Sequence, residues 1–527
     1  MFCNKPQVNI LTSLFLSHGI RDAVVCPGSR NAVIVHDFQQ ASINLYPVTD
    51  ERSAAFVAIG LWLRLRTPIA ICVTSGSALL NLLPGVSEAY YRHIPLIIVS
   101  ADRPTQWIGQ NDGQTLPQPY ALKPYASSFQ LPEIAGNSAN DEGEWYANRL
   151  VNEALCQCRQ HGGQPVHINV PISEPLFSFT TPTLPQQRVI RSWGISSDKH
   201  LPAEVVDAAR QASHPWIVIG QYEDSPIPAV LQLKEMGWKV FAENISNHAE
   251  WSDMDDSSFS ALIAEDTVKD LEVPDFVLYF GGAFVGKHMK QWLRRQQISV
   301  LRVDDDDAFP DTFCHLTYKI SAPPRIVLPA LVRELQNNDG KTANTTSYSV
   351  EESSPKYPLD ALFLANSTAV RWAQIHLSSH RIAPLTFCNR GTNGIEGSIS
   401  VAAGYSLVAA GHVFCLTGDL SFFYDANSLF NVRLDDRLRI MVVNNNGGGI
   451  FHCLPGLEQS PALEDYVAAH HTFSVKGIVE GYQCLYLTAQ TPCLADDFER
   501  LFEQLLQAPS TRPVVMEVFD NGEQGAW

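Results

Sequence analysis

Residues 412–434 read HVFCLTGDLSFFYDANSLFNVRL, and residues 438–455 read LRIMVVNNNGGGIFHCLP. Each segment opens on an apolar run and ends it on groups that bind ions. In the first, Thr417, Gly418 and Asp419 close the run and an amphipathic helix follows. In the second, Asn444, Asn445 and Asn446 lead into three glycines. A carboxylate, an amide oxygen and a bare backbone carbonyl, here Asp419, Asn445 and Gly447, are hard oxygen donors suited to Mg2+, which completes its shell from phosphate and water. The amides that follow Asp419, at Leu420 and Ser421, open a helix and can receive a phosphate. Taken alone, an Asn/Gly-rich stretch is an ordinary turn and a Gly-Asp pair is a weak signal. Strand, helix and strand together form a βαβ unit, and its right-handed crossover brings Asp419 and Asn445, 445 − 419 = 26 residues apart, to one edge of a sheet.

The elements that must carry such a site follow from the periodicity. Residues 440–443 run apolar without alternation, the pattern of a strand covered on both faces. The first third alternates: a helix near 6–18, strands at 22–26 and 43–48, a helix over 52–66, a strand at 69–74, a helix over 78–91 and a strand at 95–101. That βαβα repetition implies a parallel sheet with helices on both faces. Strands at 216–220, 239–244, 276–282 and 298–304 repeat it more loosely. The polar stretches 180–188 and 337–358 read as linkers, the second being the least hydrophobic part of the chain. The expected organisation is three successive α/β domains with mainly parallel sheets, over residues 1–180, 190–336 and 358–527. The acidic run 304–307 reads as an exposed turn and His93 as a helix-end residue, neither with an assigned role.

Bulk properties narrow the partners. The chain has 527 residues, enough for roughly three or four domains. With 37 basic and 55 acidic residues its net charge is −18, which argues against nucleic acid or an anionic membrane as main partner. No apolar run approaches the roughly 20 residues of a membrane span, so membrane insertion is not expected. The opening MFCNKPQVNI has no signal-peptide core, and a cytoplasmic protein is expected. The 11 cysteines are scattered without Cys-x-x-Cys spacing, as expected of reduced, structural thiols.

The Gly-Asp to Asn-Asn pattern resembles that of the thiamine diphosphate enzymes. The resemblance implies a thiamine diphosphate-binding fold, with Asp419, Asn445 and the Gly447 carbonyl holding the Mg2+ (or Mn2+) that anchors the diphosphate. It also implies a glutamate at a strand end in the amino-terminal domain, bonded to the aminopyrimidine ring. Glu51, in YPVTDERSAAF (46–56), stands where that residue belongs. A carboxyl group there must share its proton with the ring so that the thiazolium C2 can be deprotonated. The plainer reading is that Asp50 and Glu51 favour the start of a helix.

Segments 27–31 (PGSRN), 74–91 (TSGSALLNLLPGVSEAYY), 100–104 (SADRP), 389–397 (NRGTNGIEG) and 441–451 (MVVNNNGGGIF) are similar to those of the 2-succinyl-5-enolpyruvyl-6-hydroxy-3-cyclohexene-1-carboxylate synthase family of menaquinone biosynthesis. In the middle domain only 281–293 (GGAFVGKHMKQWL) matches, with Lys287 and His288 where the family commonly has two basic residues. The family's Gly-Ile-Asp-Gly is Gly394-Ile395-Glu396-Gly397 here, and Ile395 is the implied apolar prop beneath the cofactor. The implied substrates, 2-oxoglutarate and isochorismate, are dicarboxylates and call for fixed cations. Arg30, Arg103, Arg371 and Arg390 suit that need, with Lys287, and with Ser29, Gln114 and Ser367 as polar partners. Ile450 and Phe451 would exclude water. The family places each active site between the amino-terminal domain of one subunit and the carboxyl-terminal domain of another, so a dimer or tetramer is implied. Two other readings stay open at this stage. One is a different thiamine diphosphate enzyme, a 2-oxoacid decarboxylase or acetohydroxyacid synthase. The other is a non-catalytic nucleotide-binding α/β protein, against which Gly-Gly-Ala-Phe-Val-Gly (281–286) has the wrong glycine spacing for a dinucleotide loop.

Overall fold

The computed structural model describes residues 1–134, 141–192, 200–254, 259, 272–336, 357–377 and 382–520. The chain divides into two compact units, Met1–Trp193 with Gly391–Ala526, and Gly194–Arg390. The expected linker at 337–358 falls, as far as residue 356, outside the described residues. The other expected linker, 180–188, is an irregular strap fixed at points along its length. Thr181 exchanges backbone hydrogen bonds with Phe2, and the Ser13 hydroxyl donates to the Pro185 carbonyl at 2.8 Å.

In the first unit, β1 (Asp22–Val25), β2 (Asn44–Pro47), β3 (Ile69–Val73), β4 (Leu96–Asp102), β5 (Ser127–Gln130) and β6 (Val166–Pro171) form a parallel sheet of order β2-β1-β3-β4-β6-β5. Strands β1, β3, β4 and β6 are buried along their whole length; β3 is an unbroken apolar run, as a strand covered on both faces allows, while the others also bury polar residues, His167 and Asn169 of β6 among them. The order reverses direction at β1 and β3, so the loops after these two strands flank the crevice where α/β sheets bind ligands. They meet closely: a Cβ on Gly28 would lie 2.4 Å from Thr74 Cβ. Helices α1 (Pro6–Ser17) and α3 (Glu51–Leu65) match their expected places, and α2 (Ala32–Gln40) adds a helix between β1 and β2 that the sequence reading did not include. The helix expected over 78–91 is instead two, α4 (Ser77–Asn81) and α5 (Leu83–Tyr91). Pro84 explains the break: it has no N–H to continue the first helix and suits the first turn of a new one.

The same unit holds β14 (His412–Gly418), β15 (Leu438–Asn444), β16 (Leu485–Thr491) and β17 (Val514–Asp520), parallel in the order β14-β15-β17-β16. The helix Ser398–Ser406 lies against α3 through mutual glycines. A Cβ on Gly60 would sit 2.0 Å from the Val401 carbonyl, and one on Gly404 would sit 2.1 Å from the Val57 carbonyl. This close approach packs the middle of α3 directly on the helix Ser398–Ser406.

The second unit contains β7 (Pro215–Ile219), β8 (Lys239–Ala242), β9 (Phe276–Phe280), β10 (Ser299–Asp304) and β11 (Leu316–Ser321), parallel in the order β11-β10-β9-β7-β8. Also within it, β12 (Leu359–Leu364) pairs in parallel with β13 (Thr386–Cys388). The acidic run 304–307 is not the exposed turn expected. Asp306 is only 9 % exposed and accepts from Lys319 Nζ at 2.8 Å, while Asp304 pairs with Arg302. The two basic partners come from the same sheet, which local charge counting does not reveal.

Candidate active site

Strands β14 and β15 pair so that Gly418 lies opposite Val443, which sets Asp419 and Asn445 at one edge of the sheet. The chain after β15 turns sharply, with Asn446 at φ 64° and Gly447 at φ 143°. Gly447 has no room for a side chain, since a Cβ would meet the Ala468 carbonyl at 2.8 Å. The turn aims the Gly447 N–H at Asp419 Oδ2, 3.0 Å away, while Oδ1 accepts from Leu420 N at 2.6 Å. Asp419 is 2 % exposed, and burial pushes its carboxyl above the usual range against the pull of these amides. His471 stands beside it. The Phe473 N–H donates to His471 Nδ1 at 3.1 Å, so the ring proton belongs on Nε2, which lies 3.3 Å from Asp419 Oδ2 in an orientation short of a hydrogen bond. A buried carboxylate held by backbone amides, beside an amide side chain and a bare backbone turn, is a donor set that fits Mg2+.

The turn is supported from below by Glu517, which is fully buried. Its oxygens accept from Asn444 Nδ2 at 2.7 Å, Val475 N at 3.0 Å, Ser474 Oγ at 2.5 Å and Tyr486 OH at 2.8 Å. Ile450 and Phe451 follow on a 3-10 turn, Gly449–Cys453, half-buried. Leu420 and Ser421 open the helix Asp419–Asp425, with Ser421 buried.

Glu51 begins α3, but it does not cap it. Asp50 does, accepting from Arg52 N at 2.9 Å and Ser53 N at 3.3 Å. The half-buried Glu51 carboxylate turns instead to Asn81 on α4, whose Nδ2 donates to Oε2 at 3.1 Å. Near it, at the carboxyl ends of β1 and β2, lies a cavity of about 500 Å³ lined by residues that include Pro27, Gly28, Val48, Thr49, Phe430 and Val432.

Of the other residues singled out in the first unit, Ser29 and Gln114 are exposed and Arg30 is 6 % exposed. Arg30 already donates to the Ile172 carbonyl at 2.6 Å and to Glu174 at 3.1 Å. Arg103 follows β4, with its Nε on the Gly113 carbonyl at 3.1 Å, next to Gln114. Buried Gln118 holds these loops together: Oε1 accepts from Gly76 N at 2.8 Å, and Nε2 donates to Asn169 Oδ1 at 2.8 Å. Asn169 in turn donates to Asp102 at 2.9 Å, and Asp102 accepts from Arg103 N at 2.8 Å. Ile395, 37 % exposed, sits in the loop before the helix Ser398–Ser406.

In the second unit, Arg371 lies within the helix Thr368–His376 that follows β12; its Nη1 donates to the Ser367 carbonyl at 2.7 Å. Ser367 itself has φ 69°. Arg390 reaches Asn366 Oδ1 at 3.2 Å and the Phe284 carbonyl at 2.8 Å. Burial and the like charge of Arg390 both lower the pKa of Arg371. Lys290, which the sequence did not single out, is pushed down by burial, by Arg294 and by Arg390. Lys287 is exposed at the start of the helix His288–Leu293. Fully buried Glu243 fixes the loop before it, accepting from Val285 N and Gly286 N, each at 2.7 Å. Arg371, Arg390, Lys287 and Lys290 thus make a concentrated cationic region in an acidic chain.

The class these features define is matched by comparison. Residues 8–122 match the thiamine pyrophosphate enzyme N-terminal TPP binding domain, and residues 366–518 match the C-terminal TPP binding domain. Among solved structures, benzoylformate decarboxylase from Polynucleobacter necessarius shares the fold with a TM-score of 0.73 at 16% identity, covering 100% of both chains. A 4-hydroxybenzoylformate decarboxylase from Rhodococcus jostii does so with 0.69 at 17%, covering 98% of this chain and 100% of the other. Proteins named 2-succinyl-5-enolpyruvyl-6-hydroxy-3-cyclohexene-1-carboxylate synthase are much nearer in sequence. That of Bacteroides fragilis is 39% identical over 100% of this chain and 98% of its own length. That of Desulfotalea psychrophila is 33% identical over 98% of each. The chain belongs to this synthase family of thiamine diphosphate enzymes.

Proposed function

We propose that the protein decarboxylates 2-oxoglutarate and adds the remaining succinyl unit to isochorismate, a transferase step of menaquinone biosynthesis. Asp419, Asn445 and the Gly447 carbonyl hold Mg2+ in this reading, with Leu420 and Ser421 next to the diphosphate. Bound thiamine diphosphate supplies the electron sink for the carbon that loses CO2. Glu51 holds the proton exchanged with the aminopyrimidine, and Asn81 keeps its carboxylate in place. Ile395 supports the cofactor from below. Arg371 and Arg390, with Ser367 and Lys287, receive the carboxylates of 2-oxoglutarate; Ser29, Arg30, Arg103 and Gln114 receive those of isochorismate. Ile450 and Phe451 exclude water, so that addition competes with protonation.

The observation that carries the reading is the meeting of Asp419, Gly447 N and Asn445 at one sheet edge, in a chain with full-length relatives that bear this synthase name. Shared sites between subunits, in a dimer or tetramer, belong to the same reading, as do the three-domain division at 1–180, 190–336 and 358–527 and a cytoplasmic location. Among the described residues no helix is long and apolar enough to cross a membrane. The test is to incubate the protein with Mg2+, thiamine diphosphate and 2-oxoglutarate, with and without isochorismate. Consumption of isochorismate that requires all the other components supports the proposal. CO2 release indifferent to isochorismate would favour a simple decarboxylase.

A further inference from the structure

Several buried carboxylates have no part in the proposed mechanism, and one of them lies against the cofactor loop. Glu88 on α5 is 1 % exposed, and it faces the loop that carries Ile395. Its Oε1 accepts from Gly391 N at 3.0 Å; its Oε2 accepts from Thr392 N at 2.7 Å and from Thr392 Oγ1 at 3.0 Å. Arg92, one helical turn on, lies 3.5 Å from Oε1 and balances the charge, both side chains being almost wholly buried. The approach is tight: a Cβ on Gly391 would lie 2.8 Å from the Glu88 carbonyl and 2.9 Å from Oε2. The far end of the loop is pinned as well. Gly397 has φ 83°, and a Cβ there would sit 2.3 Å from the ring of Phe56, which α3 buries. Residues 391–397 are therefore a short bridge held at both ends by helices of the amino-terminal segment, with Ile395 on its exposed span.

We propose that Glu88 is a positioning residue for thiamine diphosphate: by clamping Gly391 and Thr392 it sets the height of the 391–397 loop and so of Ile395 beneath the cofactor. This rests on the cofactor reading given above. Both oxygens serve as acceptors, because four donors, Gly391 N, Thr392 N, Thr392 Oγ1 and Arg92 Nη1, converge on them. A glutamine at this position turns an N–H2 toward an N–H and releases one strand of the clamp.

The experiment is a double-mutant cycle in the full chain, read as thiamine diphosphate affinity by calorimetry in saturating Mg2+. Glu88→Gln and Ile395→Ala are each expected to weaken binding about tenfold, the effect of one misplaced or missing contact, and the double variant scarcely more than either alone. Thr392→Val, which removes only the Oγ1 donor, is expected to weaken binding by a smaller factor and stands in if Glu88→Gln does not fold. Wild-type affinity in the Glu88 and Thr392 variants would overturn the inference, as would full multiplication of the two effects in the double variant. Asp419→Ala in the same titration separates the two levels. If it weakens binding while the loop variants do not, only the role of Glu88 is lost; if none of them matters, the cofactor reading falls too.

Discussion

Asp50 and Glu51 are adjacent carboxylates with different work. Asp50 caps α3, which frees Glu51 from helix-end duty and leaves its carboxylate against Asn81. Glu51→Gln is therefore expected to keep the fold and the affinity for thiamine diphosphate while slowing exchange of the cofactor's C2 hydrogen by orders of magnitude. NMR exchange of bound cofactor reads this directly, and exchange at the wild-type rate would place the proton relay elsewhere. Asp419→Ala is expected to have the opposite profile, with weakened cofactor binding partly recovered at high Mg2+. The arginines divide by neighbourhood. Arg103→Ala is expected to retain decarboxylation and lose addition to isochorismate, whereas Arg390→Ala is slow already in decarboxylation. Each loss is about 1.5–3 kcal/mol, roughly ten- to a hundredfold or somewhat more, as for a charge-assisted hydrogen bond. Stopped-flow measurements with and without isochorismate separate the steps; equal impairment of decarboxylation would mean one shared pocket. At this scale Asp419 and Asn445 were legible because their spacing reports a βαβ crossover. Glu88, Glu243, Glu517 and Gln118 were not, because a carboxylate or amide on an element reads as solvated until its distant donors are known.

Elements were legible where burial imposed an apolar run, as in β1, β3, β4 and β15. They were harder to read where strands lie at sheet edges: β5 and β11 are only partly buried and mix polar with apolar residues. The close packing of α3 on the helix Ser398–Ser406 was also invisible, since a lone glycine in a helix signals only a weak helix former. A buried histidine gives the second unit an acid liability. His248 is 1 % exposed, places Nδ1 2.6 Å from the Ser246 carbonyl and accepts from Ile227 N at Nε2, 2.9 Å away, and burial lowers its pKa to about 4. The unfolded chain takes up that proton near pH 6.5, so the stability tied to neutral His248 is complete above that pH and is lost as pH falls toward 4. The slope is about 1.4 kcal/mol per pH unit. Denaturant unfolding at pH 7 and pH 4.5 is expected to show a smaller acid penalty in His248→Gln than in the wild type; an equal penalty would assign the acid sensitivity to other groups.

For the whole molecule, the reading requires that one chain's amino-terminal segment work with another's carboxyl-terminal segment. Glu51→Gln and Asp419→Ala are each expected to be nearly inactive alone. Mixed, dissociated and reassembled, they are expected to regain activity, because one of the two sites in a mixed dimer then contains neither substitution. No recovery in demonstrably mixed dimers would mean that each site lies within one chain. The family, the parallel α/β fold and the Gly-Asp to Asn pattern were readable in the sequence; the supporting carboxylates and the two-unit division were not, because both depend on contacts between residues far apart in the chain. The proposed reaction fixes where the carbons of 2-oxoglutarate go. Mass spectrometry of a reaction containing isochorismate and 2-oxoglutarate labelled with carbon-13 either at C1 or at the remaining carbons tests it most directly. The C1 label is expected to leave as CO2, and all the other label is expected to be covalently joined to the isochorismate skeleton. Release of the remaining label as free succinic semialdehyde, with isochorismate unchanged, would contradict the proposed reaction.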